Sequence, residues 1–152
     1  MNNRNHSIAV RITAVLLVMV LVFPVGATAA TVETVQPLAS AYLNSYSAYI
    51  HLAGGGKIGV YFTVTGTDYM DSLGALTIRI YESADNKTWT WVRTFTSDTT
   101  PGMLGYDHYL HGGNVDYYGI AGRYYKAHVS VWAGENGGGD TRYFWTSVKK
   151  AA

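Results

Sequence analysis

From Ser45 onward the apolar residues recur at every second position, and that period restricts what the chain can fold into more than any single motif does. Successive side chains of an extended strand point to opposite faces, so a period of two lays the apolar set on one face of a half-buried strand. No long stretch carries the helical period, and the chain reads as all-β. Ala48, Ile50 and Leu52 point one way and Tyr49 and His51 the other, before the turn Ala53-Gly54-Gly55-Gly56. Ile58, Val60, Phe62 and Val64 continue the pattern in a second strand, which should pair with the first as a hairpin. The third strand should bury Leu76, Ile78 and Ile80 and expose Thr77, Arg79 and Tyr81. Asp85 and Asn86 then supply a turn, and residues 88–95 return as a fourth strand. A weaker strand follows at residues 115–120. In the clearest one Tyr125, Ala127, Val129, Val131 and Ala133 alternate with Tyr124, Lys126, His128, Ser130 and Trp132. Residues 134–140 read as a glycine-rich hairpin loop and residues 143–148 as the closing strand. About seven short strands at this spacing predict a sandwich of two antiparallel sheets over residues 45–150.

Residues 1–29 have a different logic. Arg4 and Arg11 flank a basic start, residues 12–23 are apolar, Pro24 and Gly26 close the run, and Ala27-Thr28-Ala29 offers small residues for cleavage. This is the pattern of a secretory signal peptide. A spanning helix needs about 20 apolar residues, so export with cleavage is expected, with no membrane span afterwards. Residues 30–44 lack alternation, contain Pro37, and read as a flexible leader. The expected location is extracellular.

Charge and cysteine content remove whole classes of function. Apart from Arg4 and Arg11, nine Lys and Arg face ten Asp and Glu, without a basic stripe that would neutralise phosphates, so nucleic acid is not an expected partner. The chain has no cysteine. Disulfides, a thiol nucleophile, a thiolate metal site and a lipid-modified cysteine are all excluded.

The stretch Gly122-Arg123-Tyr124-Tyr125-Lys126-Ala127-His128-Val129-Ser130-Val131-Trp132-Ala133 resembles the penultimate strand of fibronectin type III-like domains. The resemblance implies an immunoglobulin/fibronectin type III-like sandwich. It also implies a tyrosine corner at Tyr125, or at Tyr124 in the shifted register, with the hydroxyl satisfying a nearby backbone group. The stretch from Ile80 to Trp89, with Asp85 and Asn86 at its turn, is similar to the aspartate box of sialidase propellers, though one residue shorter and with Asn86 in place of the glycine. That motif stabilises a turn, so the likeness implies structural roles for Asp85, Asn86 and Trp89 and no sialidase chemistry. Over Leu73-Gly74, Tyr81-Glu82-Ser83, Met103-Leu104-Gly105 and Gly138-Gly139-Asp140-Thr141-Arg142 the chain resembles a family of small secreted proteins of Gram-positive bacteria. This implies location and fold, and no activity.

Candidate chemistry is sparse. His108 and His111, with Asp107 and Asp116, have the residue types of a zinc site but lack the helical spacing that puts two imidazoles on one face. Asp85 with Asn86, or Glu135 with Asn136 and Asp140, lack the dense acids of a calcium loop. No metal and no cofactor is expected. There is no Gly-x-Ser-x-Gly elbow and no adjacent acid pair; Glu82 and Asp140 are the acids a hydrolase would have to bring together in space.

Aromatic residues carry the stronger signal. Thirteen tyrosines and four tryptophans exceed what one small core takes, and Tyr61, Tyr81, Trp132 and one of Tyr143 and Trp145 fall on outward positions. In a fibronectin-like order the third, sixth and seventh strands share a sheet, which would align Arg79, Tyr81, Lys126, His128, Trp132 and Trp145 on its outer face. Rings interleaved with donors suit sugar rings or a protein partner; the same residues also form ordinary cross-strand pairs that only stabilise a sheet. The expectation is a secreted, non-catalytic binding protein, taking a cell-surface glycan or protein through this face or the 134–140 loop. The alternatives are a small extracellular hydrolase using Asp or Glu, and a structural surface or matrix subunit assembling through strand edges.

Overall fold

The structure, a computed structural model, describes residues 40–152, so the signal peptide and most of the leader expected from the sequence lie outside the described residues. Among the described residues there is no helix long and apolar enough to cross a membrane. The strands are β1 Leu43–Gly54, β2 Lys57–Met70, β3 Ser72–Ser83, β4 Thr90–Thr96, β5 Leu104–Gly105, β6 His108–Tyr118, β7 Tyr124–Glu135, β8 Gly138–Trp145 and β9 Lys149–Lys150. They form two antiparallel sheets. One has the order β1-β2-β6 and the other β4-β3-β7-β8, with β5 added to β3 and β9 to β7. The chain is an all-β sandwich.

Two hairpins are closed by two-residue turns with positive φ at both central positions, the geometry that matches the twist of the flanking strands. Gly55 and Gly56 (φ 57° and 77°) join β1 to β2, and Asn136 and Gly137 (φ 51° and 78°) join β7 to β8. The second corrects the expected open loop at 134–140, because Gly134, Gly138 and Gly139 are already in the ladder. The closing strand accordingly begins at Gly138 and ends at Trp145, earlier than the 143–148 expected. Thr146 then ties back to Ala127 by two hydrogen bonds of 2.9 Å.

The inner faces form one core. Ile58, Val60 and Val64 of β2 meet Ile78 and Ile80 of β3 and Ala127, Val129, Val131 and Ala133 of β7, all with no exposed surface. The alternation of β7 is as expected. In β3 it changes part-way: Ala75 pairs with Val131 and Thr77 with Ser130, so Leu76 is a bulge. Leu73 and Ala75 take the buried positions, and Leu76, expected inside, is half-exposed. A bulge inserts one residue and resets the parity, which strict alternation cannot anticipate.

Three boundaries also moved. β1 starts at Leu43 because that side chain is 2% exposed in the core, while the Ser40 hydroxyl accepts the Leu43 N–H at 2.8 Å and donates to Asp140. The last residues of the expected leader are thus tied to the β7-β8 hairpin. β4 starts at Thr90, since the Lys87 and Thr88 N–H groups bond the Asp85 carboxylate. β6 runs from His108 instead of Val115, its alternation hidden by Gly112 and Gly113; a Cβ on Gly113 would lie 2.8 Å from the Phe62 ring.

Tyr125, fully buried, accepts the Ile120 N–H at 2.7 Å through its hydroxyl and donates to Glu82. Burial, with the Glu82 bond second, pushes the phenol up to about 12. Arg123 pairs with the other Glu82 oxygen. The expected corner residue therefore anchors a buried cluster at one end of the larger sheet.

Candidate functional site: the outer face of the larger sheet

Strand register assembles this face. Tyr81 of β3 lies opposite Lys126 of β7 and Arg79 opposite His128; on β8, Trp145 lies opposite His128 and Tyr143 opposite Ser130. β4 adds Trp91 opposite Tyr81 and Thr94 opposite Arg79, with a register shift that leaves Val92 as an extra residue. Trp91 and Thr94 are three apart and would point to opposite faces of a regular strand. The bulge brings them to the same face. There the Trp91 indole N–H donates to Thr94 Oγ1 at 2.9 Å, which fixes a ring that is 60% exposed.

The rings are contiguous. Tyr81 and Trp145 have centroids 5.1 Å apart, His128 and Trp145 4.8 Å, and His128 lies parallel to Tyr143 at 6.0 Å. Lys126 Nζ sits 4.4 Å from the Trp89 ring and 4.5 Å from the Trp145 ring, between two faces that attract a cation. Among the described residues the salt bridges are Lys57–Asp116, Arg123–Glu82 and Arg142–Asp140, so neither Arg79 nor Lys126 has a carboxylate partner there. Burial, and then the Arg79 charge, lowers the pKa of His128. Arg79, Tyr81, Trp91 and Thr94 line a groove of about 510 Å³, and a second depression is lined by Thr77, Arg79, His128, Ser130 and Tyr143 among others.

Of the residues singled out in the sequence, Arg79, Tyr81, Lys126, His128 and Trp145 come together. Trp132 does not. Its ring lies on the β7-β8 hairpin, where a Cβ on Gly139 would fall 2.2 Å and one on Gly134 2.4 Å from it, and its N–H donates to Ser72 at 2.9 Å. Tyr61 faces outward on the other sheet, stacked with Tyr49. Tyr143 and Trp145 have the same parity, so both are outward, at 66% and 46% exposure. Trp91 and Thr94 were missed because the Val92 bulge left no alternation to read. Trp89, expected to be structural, contributes a face to the Lys126 cage. Asp85 and Asn86 form the turn, with Asn86 at φ 59°. Asp85 accepts the Thr88 and Lys87 N–H groups and the Ser83 hydroxyl, which hold its carboxyl down at about 2.

The remaining candidates are separated or engaged. His108 and His111 stack at 6.3 Å, with His111 Nε2 against the Gly102 carbonyl at 2.9 Å. Asp116 turns instead to Lys57 at 2.8 Å. Among the described residues no three of His, Asp and Glu gather as a metal site. Glu82 has both oxygens occupied by Arg123 and Tyr125, and Asp140 accepts from Ser40.

No family model matches the chain, and no curated protein matches it. Among solved structures it is similar to the crystal structure of a family 76 glycoside hydrolase from a bovine Bacteroides thetaiotaomicron strain, with 18% identity and a TM-score of 0.31. The match covers 71% of this chain and 20% of that one, so the chain spans about one fifth of the neighbour's length. A likeness of that size bears on neither fold nor activity.

Proposed function

We propose that this protein is a secreted, non-catalytic, fibronectin type III-like sandwich that binds a cell-surface glycan through the outer face of its larger sheet. The observation that carries the reading is the strip of outward rings, the exposed Trp91, Trp145 and Tyr143 with the half-buried Tyr81 between them, interleaved with Arg79, Lys126 and His128. A sugar ring presents an apolar face and hydroxyl edges, and such a strip offers area to the first and donors to the second. The strand order, with β3, β7 and β8 in one sheet, and the Tyr125 corner support the fibronectin-like part. The non-catalytic part is supported by the engagement of Glu82 and Asp140 in structural bonds. Export follows from the signal-like residues 1–29, and mass spectrometry of the secreted protein should find Ala30 at its start.

The test is retention on insoluble polysaccharides and on cell-wall material before and after protease treatment, for wild type and Trp145→Ala. Retention that survives protease and is lost in a folded variant supports the reading. Equal retention of both proteins on every material defeats it, and loss after protease transfers the face to a protein partner. Release of soluble sugar from any of these materials would replace binding with hydrolysis.

A further inference from the structure

The groove between β3 and β4 has a chemistry more specific than the face as a whole. Tyr81 and Trp91 stand opposite each other across the two strands as its apolar walls, and Arg79 and Thr94, the adjacent outward pair, supply the polar positions. The Trp91 indole is held by its bond to Thr94, so the exposed ring does not have to be ordered when something stacks on it. The Val92 bulge that makes this possible interrupts the ladder where the groove lies, and bulges commonly re-aim side chains at sites.

Charge then selects the ligand. Every carboxylate that pairs with a cation among the described residues does so elsewhere: Asp116 on the other sheet, Glu82 beneath Arg123, Asp140 at the far hairpin. By register, the outward positions around the groove are Thr94, Trp91, Thr77, Arg79, Tyr81 and Lys126, with no acid among them. Lys126 has its ammonium engaged by two indoles, whereas Arg79 is exposed and presents a planar fork whose geometry fits an oxyanion in two places at once. A neutral sugar would leave that guanidinium with only hydroxyls to bind.

We infer that the groove takes an acidic polysaccharide, with a sugar ring stacked on Trp91 and its anionic group on Arg79. This rests on the glycan-binding reading above and names its ligand class. An acidic polypeptide offers the charge without the ring, and a neutral glycan the ring without the charge.

The experiment is affinity electrophoresis of the full chain through gels containing sodium polygalacturonate, its methyl ester, dextran sulfate, dextran or polyglutamate. Wild type should be retarded by polygalacturonate at least about tenfold more strongly than by the methyl ester, in which the rings are kept and the charge removed, and added salt should narrow the difference. Arg79→Gln, with an unchanged melting curve, should reduce the two to equal and weak retardation, and Trp91→Ala should lose both. Comparing the dextran sulfate preference over dextran with that for polygalacturonate identifies the anion as sulfate or carboxylate. Equal retardation by the charged and esterified polymers overturns the acidic ligand while leaving a glycan-binding face. Retardation by polyglutamate equal to that by the acidic glycans, or an acid preference unchanged in Arg79→Gln, also overturns it. Migration unaffected by every polysaccharide removes both this inference and the reading beneath it.

Discussion

The two outer faces of the sandwich use the same residue types and arrive at opposite arrangements. On the smaller sheet Tyr49 and Tyr61 stack on each other at 5.4 Å and 8°, and His51 meets the Tyr61 ring edge-on at 5.9 Å. The charge there is paired, with Lys57 2.8 Å from Asp116, which raises the lysine pKa. On the larger sheet the rings form a strip along which Arg79, Lys126 and His128 have no carboxylate partner among the described residues. Exposed aromatics therefore mark a site only through what surrounds them: opposed charges pair off on one face, and an excess of one sign leaves the other in want of a partner.

The sharpest way to break this contrast is to remove one ring from each face. Trp145→Ala takes away the contact shared by Tyr81, His128 and Lys126. Retention on the bound glycan should fall by about thirtyfold or more, the scale of a binding hot spot. Tyr49→Ala should leave retention unchanged, and a parallel loss in both variants would show that the faces do not differ in function.

Trp132 extends the comparison along the larger sheet itself. Alternation assigned it correctly to the outer face, yet the ring is spent on Gly134, Gly139 and Ser72. Trp132→Ala should cost about 1–3 kcal/mol in a denaturant melt, by stripping a half-buried ring from the hairpin, with no selective loss of glycan retention. Loss of retention at unchanged stability would move the binding strip toward this end.

What could be read from the sequence divides along the same physical line. Period-two alternation fixed the faces of β7, where Tyr125 to Ala133 bury every second residue as expected, and with them the outward placement of Lys126 and His128. Strand ends and bulges were not legible. Leu76 and Val92 look like ordinary strand residues, and their bulges depend on the register of neighbouring strands, which are distant in sequence. That is why Trp91 and Thr94 escaped notice. The extent of the hairpin at Asn136-Gly137 was present in the sequence as a strong turn signal, but the surrounding glycines made a loop look more natural than a ladder with Trp132 and Tyr42 lying on it.

Smaller effects test the paired charge of the smaller sheet. Both members of Lys57–Asp116 are over a third exposed, so solvent screens their attraction, and Asp116→Asn should leave the denaturation midpoint nearly unchanged. It should also not create affinity for an acidic glycan on that side, because the freed lysine, 6.0 Å from the Tyr118 ring, is a point charge without the planar fork that Arg79 presents beside Trp91. Binding gained by this variant would show that charge alone separates the faces and that the aromatic strip is incidental.

The smallest expected effect belongs to His128, and its sign follows from the direction of its shift. Arg79 faces it from β3, Lys126 lies two positions away on β7, and Tyr143 and Trp145 flank it from β8. Burial and the Arg79 charge both oppose protonation, so the folded pKa lies below the ordinary histidine value. Well above about pH 6.5 the ring is neutral in folded and unfolded chains alike and contributes no pH dependence. As the pH falls below that value the unfolded chain takes up a proton that the folded chain resists, so stability declines, and the decline stops once the folded ring is protonated as well. His128→Gln removes this component and leaves the other histidines of the chain in place. Melts of wild type and variant over this range should therefore show a shallower acid-side slope for the variant; identical slopes would mean that neither burial nor the Arg79 charge holds the folded imidazole below its ordinary value.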